Sequence, residues 1–150
     1  MITPSFVALI PFLPKFQCFV IAENLEGEER EFFTQKVDEI QRIIDEMPVT
    51  YQQEGLGDQA IVYLHYFFGN CHWFITEKDI EGDGTIHAFG MADLGYGPEY
   101  GYISILEIVQ SSIAIELDIF WEPKTRAEVM QQHYNQPTGD SIPVGVASPL

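Results

Sequence analysis

The spacing of its apolar runs leaves this chain little choice of sheet topology. Ala60–Phe68 is β-branched and aromatic, the composition of a half-buried strand. Cys71–Thr76 is a second such run, and only Gly69-Asn70 separates the two. Two residues close a hairpin but cannot carry a parallel crossover. The acidic loop Glu77–Gly84, which leads to a third run at Thr85–Ala92, is also too short for one. Tyr100–Ile103 and Ala114–Trp121 bring the total to about five strands. In the last of them, Ile115, Leu117, Ile119 and Trp121 share one face, with Glu116 and Asp118 on the other. A mainly antiparallel sheet follows.

One segment has helical rather than strand periodicity. In Leu25–Met47, residues Phe33, Val37, Ile40, Ile44 and Met47 recur at spacings of four and three, an amphipathic stripe. Asn24 is placed to cap it, and Pro48 stops it. The fold class is therefore α+β: a mainly antiparallel sheet of about five strands with one long amphipathic helix packed on it. Residues 1–150 read as a single domain. Residues 1–22 form an N-terminal arm punctuated by Pro4, Pro11 and Pro14, with a short strand at Gln17–Ala22. Residues 23–47 are the acidic helix, 49–128 the core and 135–150 a mobile tail. Ser104-x-x-Glu107 opens a short helix, and Thr125–Tyr134 forms a last one.

Charge narrows the partners. Twenty-three Asp and Glu against seven Lys and Arg give a net charge of −16. A chain so poor in cations cannot neutralise phosphates, so direct nucleic-acid binding is excluded, and anionic membranes are disfavoured. The expected partner is a protein with a basic surface. The candidate acidic face is Glu28, Glu29, Glu31, Asp38, Glu39, Asp45 and Glu46, with a solvated helix face as the plain alternative. Self-association through the apolar arm is a further reading, which would make a homo-oligomer. The two cysteines, Cys18 and Cys71, suit a reducing compartment. The arm lacks the basic start of a leader, and the expected location is the cytoplasm.

Several motifs invite chemistry. Asp79, Glu81 and Asp83 alternate like the first half of a calcium loop, but the twelfth position is Gly90, and Asp83-Gly84 is also an ordinary turn pair. His65, Cys71, His72 and His87 suggest zinc without the usual ligand spacings. No cofactor is expected. There is no Gly-x-Ser-x-Gly, and Cys71 and His72 are strand neighbours that point to opposite faces. A non-enzymatic role leads. The alternative is a small metal-dependent or acid/base hydrolase in which His65, Glu77 and His87 converge on one cleft. Tyr96, Tyr100 and Tyr102 bracket a glycine-rich connection and read as a contact surface, or as core for Tyr102 especially.

Three blocks carry a resemblance. The first runs from Ala60 to Phe68 and on through Trp73-Phe74-Ile75-Thr76-Glu77. The second is Phe89-Gly90-Met91 followed by Glu99-Tyr100-Gly101-Tyr102-Ile103-Ser104-Ile105-Leu106-Glu107-Ile108. The third is Ile115-Glu116-Leu117-Asp118 through to Pro123, and Tyr51-Gln52-Gln53-Glu54 precedes them all. Over residues 49–128 this resembles a small bacterial domain family of unknown function carried on plasmids, phages and integrative elements. That family shows Trp-x-Trp-Tyr-x-Thr-Glu and Glu-Leu-Gly-Tyr-Phe-Ser-Leu-x-Glu-Leu. Cys71 stands where its first Trp would be, and the helix before Tyr51 looks like an addition. The resemblance implies no catalytic residue. It implies a setting: mobile elements, whose acidic accessory proteins counter restriction or CRISPR systems, some as nucleic-acid mimics. Trp73, Glu77, Tyr96, Glu99, Tyr100 and Tyr102 are the candidate surface in these blocks.

Overall fold

The structure is a computed structural model that describes residues 2–134. The expected tail, 135–150, lies outside the described residues. A five-stranded sheet carries the fold: β2 (Leu64–Phe68), β3 (Cys71–Glu77), β4 (Ala88–Asp93), β5 (Glu99–Ile103) and β6 (Glu116–Leu117), in the order β5-β4-β3-β2-β6. Every pairing in it is antiparallel. A two-stranded antiparallel ribbon joins β1 (Ile61–Val62) to β7 (Lys124–Thr125). The fold is α+β as the run spacing required.

The N-terminal segment is helical, which corrects the expected arm and the strand at Gln17–Ala22. Helix α1 spans Pro4–Leu9, a 3-10 turn spans Ile10–Phe12, and α2 spans Lys15–Asn24. The prolines that suggested an extended chain all start helices. Pro4 and Pro11 sit in first turns and Pro14 caps α2, positions where a missing N–H costs nothing. Thr3 accepts the amide of Phe6 and closes the first turn.

The long helix, α3, spans Arg30–Glu46 rather than starting at Leu25. Asn24 ends α2 instead of capping α3, and residues 25–29 make the corner between the two. The periodic stripe is correct: Val37, Ile40 and Ile44 are buried. They join Phe6, Leu9, Ile21 and Leu25 against one sheet face, where Leu64, Tyr66, Ile75, Ala88 and Ile103 point inward. The buried Tyr66 hydroxyl donates to the Phe12 carbonyl at 2.6 Å, which satisfies a polar atom that would otherwise be costly there.

The opposite sheet face has its own smaller core. Phe74 and Met91 pack with Val62, Trp121 and Val129. The last of these lies on α5, Arg126–His133, whose start is a reciprocal capping box between Thr125 and Glu128. Trp121 therefore leaves the face it was expected to share with Ile115 and Leu117. The expected strand Ala114–Trp121 shrinks to Glu116–Leu117, and the third strand starts at Ala88 rather than Thr85. Ser104 caps the short helix α4 (Ile105–Val109) by accepting the amide of Glu107. Cys18 and Cys71 are both free thiols, and no described helix is long and apolar enough to cross a membrane.

Candidate functional site

Two features stand apart from the fold's own needs. The first is the charge on α3 and the corner before it. Glu28, Glu29, Glu31, Asp38, Glu39, Asp45 and Glu46 are all exposed. Burying Val37, Ile40 and Ile44 on one side turns these carboxylates outward on the other, as the stripe requires. Two of them are held in place: Glu39 takes the Lys36 ammonium at 3.2 Å, and Asp45 accepts from the Gln41 amide at 2.9 Å.

The second is a cavity of about 310 Å³ between the loop after α3 and the ends of β3, β4 and β5. Its construction begins with a bulge. The β3–β4 register slips between Ile75 and Glu77, so Thr76 and Glu77 are both buried where simple alternation would bury one. Opposite the bulge, Gly90 is obligatory, because a Cβ there would lie 1.9 Å from the Phe74 carbonyl oxygen. Glu77 is 5% exposed and its two oxygens are engaged. Oε1 accepts the Tyr51 amide at 2.8 Å, and Oε2 lies 3.0 Å from the Thr76 hydroxyl. Tyr51 has a φ of 77°, the one positive φ outside glycine among the described residues. Such backbone is strained for an L side chain, and the Glu77 carboxylate holds it. Gln53 fixes the same loop from beneath: its amide donates to Ile61 and Thr76 carbonyls and accepts the Ile61 N–H.

Three aromatic rings, Tyr51, Phe89 and Tyr100, and one cation, Arg126, complete the cavity. Tyr51 and Tyr102 join hydroxyl to hydroxyl, and that bond raises the Tyr102 phenol above its ordinary pKa. Arg126 lays its guanidinium carbon 3.9 Å over the Tyr100 ring. Its Nε is buried without a hydrogen-bond partner, and it forms no ion pair among the described residues. Reading the sequence alone missed Arg126, although a signal was there. It is the first residue of α5, the end at which the helix dipole disfavours a cation, so something other than the helix places it.

The remaining candidates divide. Tyr96, Glu99, Tyr100 and Tyr102 do come together along β5, an edge strand. Tyr96 is 95% and Tyr102 58% exposed, so Tyr102 is not a core residue. Trp73 packs half-buried against the helix-side core instead. Asp79 and Asp83 are occupied in closing their own loop: Asp79 accepts the amides of Glu81 and His87, and Asp83 those of Thr85 together with its hydroxyl. Glu81 is exposed. Among the described residues no group of three or more His, Cys, Asp or Glu is placed to hold a metal ion.

The three residues of the hydrolase reading lie in three different settings. Glu77 is in the cavity, and His87 is exposed beside Asp79. His65 is buried on the far sheet face, in a chain the sequence did not suggest. With His65 Nδ1–H donating to Asp118 at 3.1 Å, its Nε2 accepts from His72 Nδ1 at 2.9 Å. His133 of α5 lies edge-on to both rings. The hydrogen bond from His65 holds Asp118 below its usual value. Burial, followed by the neighbouring imidazoles, holds His72 and His133 below theirs. This cluster fastens α5 to the sheet.

Residues 33–136 match a family described as a protein of unknown function, DUF2958. The chain belongs to that family. Its match begins inside α3, so most of the acidic helix is part of the DUF2958 domain and not an addition before it. The cavity is built wholly from segments within the DUF2958 match. No curated protein and no solved structure matches the chain.

Proposed function

We propose that this DUF2958 protein is a non-enzymatic accessory factor of a mobile genetic element, which docks a protein with a basic surface through α3 and the α2–α3 corner. One observation carries the reading: all seven carboxylates of the candidate face are exposed, five on a helix anchored by three buried aliphatic residues and two, Glu28 and Glu29, in the corner before it. Charge fixed on a rigid element steers an oppositely charged partner and raises its association rate. The mobile-element setting comes from the resemblance of the residue blocks.

The density of charge selects among versions of this reading. Helix α3 has 17 residues and is therefore about 25 Å long. Over about that length duplex DNA carries roughly 15 phosphates. Helix α3 carries Glu31, Asp38, Glu39, Asp45 and Glu46, offset by Arg30, Lys36 and Arg42. That is too sparse for a phosphate-by-phosphate copy. Steering toward a basic surface fits the numbers better than strict nucleic-acid mimicry. The test is capture of partners from a bacterial host lysate on the immobilised chain, eluted with a salt gradient. The reading predicts basic proteins released as salt rises. Retention that does not depend on salt, or of no basic protein, would contradict it.

A further inference from the structure

The cavity behind Tyr51 plays no part in that docking, and its chemistry points to a ligand of its own. Three facts bear on what fits. Arg126 lines the cavity, and the fold supplies no carboxylate to pair it: no ion pair reaches it among the described residues, and its Nε is buried without a partner. Arg is the side chain best shaped to meet a carboxylate. Glu54 stands at the mouth, exposed and without an ion pair, and Glu77 lies within. With two carboxylates and one guanidinium, the cavity repels a dianion. It favours a ligand that brings a positive group together with its negative one. Finally, Phe89, Tyr51 and Tyr100 make the walls apolar, and the volume of about 310 Å³ is that of a small-molecule site.

We propose that the cavity binds a zwitterionic α-amino acid. Its carboxylate meets Arg126, its ammonium faces Glu54, and an apolar side chain lies against Phe89 and Tyr100. The loop that closes the site is organised before the ligand arrives. Glu77 and Gln53 hold residues 51–55 from inside the fold, so little ordering remains to be done on binding.

The test is calorimetric titration of the full chain with each L-amino acid in turn, and with acetate, methylamine and inorganic phosphate as separate probes. The proposal expects saturable binding of at least one apolar amino acid, about tenfold or more tighter than acetate or methylamine. Arg126→Gln is expected to weaken it by about tenfold or more, and Glu54→Gln severalfold. Glu116→Gln, exposed on β6 and outside the cavity, leaves it unchanged. Glu54 is exposed and makes no contact the fold needs, so its variant decides the matter even if Arg126→Gln fails to fold. The proposal is overturned if no amino acid saturates the site below about 10 mM. It is also overturned if phosphate or acetate binds as well as the best amino acid, or if Glu54→Gln binds unchanged. Basic-partner capture is independent of all these outcomes.

Discussion

The carboxylate of Glu77 holds the backbone of Tyr51. Oε1 accepts the Tyr51 amide at 2.8 Å across 26 residues of chain, and Tyr51 carries a φ of 77°. The buried acid clamps a strained loop. Glu77→Ala removes a charge-assisted bond and leaves the amide without its partner, so unfolding free energy is expected to fall by about 2–3 kcal/mol. Tyr51→Gly relieves the left-handed strain while adding backbone entropy, and the net change is expected to stay within about 1 kcal/mol. Urea midpoints of the two variants check the contrast. Equal losses would show that the Tyr51 side chain, and not the clamp, holds the loop.

Gly90 makes a sharper prediction. Its missing side chain lets the Phe74 carbonyl approach at the bulge, where a Cβ would sit at 1.9 Å. Since the obstacle is backbone, β3 and β4 must separate to admit even alanine. Gly90→Ala is expected to cost about 3 kcal/mol or more and to be visible as a large drop in thermal midpoint. Gly101, the neighbouring glycine across β5, has open space in place of a Cβ, and Gly101→Ala is the matched control.

Acid should weaken the fold in two stages. His72 and His133 are held below the ordinary 6.5 by burial and then by the neighbouring His65. The unfolded chain takes up those protons first, so stability falls as pH drops through about 6.5. Asp118 sits below its ordinary 3.8 because His65 donates to it. Its contribution is present above that value and is lost only as pH falls below about 4. Denaturant midpoints across this range are expected to show both losses. His133→Asn, on the exposed side of the cluster, should reduce the first and leave the second. A flat profile between about pH 7.5 and 5 would remove the imidazole cluster as a determinant of stability.

Local pattern foretold what local pattern controls. The two-residue turn at Gly69-Asn70, the stripe through Val37, Ile40 and Ile44, and the Ser104 cap all depend on neighbours in the chain, and all are present. The N-terminus was misjudged because Pro4, Pro11 and Pro14 mark either a break or a start, and burial of Phe6, Leu9 and Phe12 decides for the start. Gln17 shows what lay beyond reach. Its amide on α2 donates to the Leu117 carbonyl and accepts the Leu117 N–H, both at 2.8 Å. It thereby covers the edge of β6 with a contact 100 residues distant, in a segment whose helix the residue types alone did not reveal. The cavity was half legible. Tyr51, Glu54, Thr76, Glu77 and Tyr100 stood in the residue blocks as separate words, and only the bulge at Thr76 folds them onto one space with Arg126.

The central claim, that the α3 carboxylates engage a basic partner, is tested most directly by comparing two baits in one capture experiment. One is the chain itself. The other carries Glu31→Gln, Asp38→Asn, Glu39→Gln, Asp45→Asn and Glu46→Gln, all at exposed positions, with its helix content checked by circular dichroism. The account predicts that basic proteins retained by the first and eluted by salt are lost, or elute at markedly lower salt, from the second. Equal retention by a folded second bait would contradict it and move the docking surface to the tyrosines of β5.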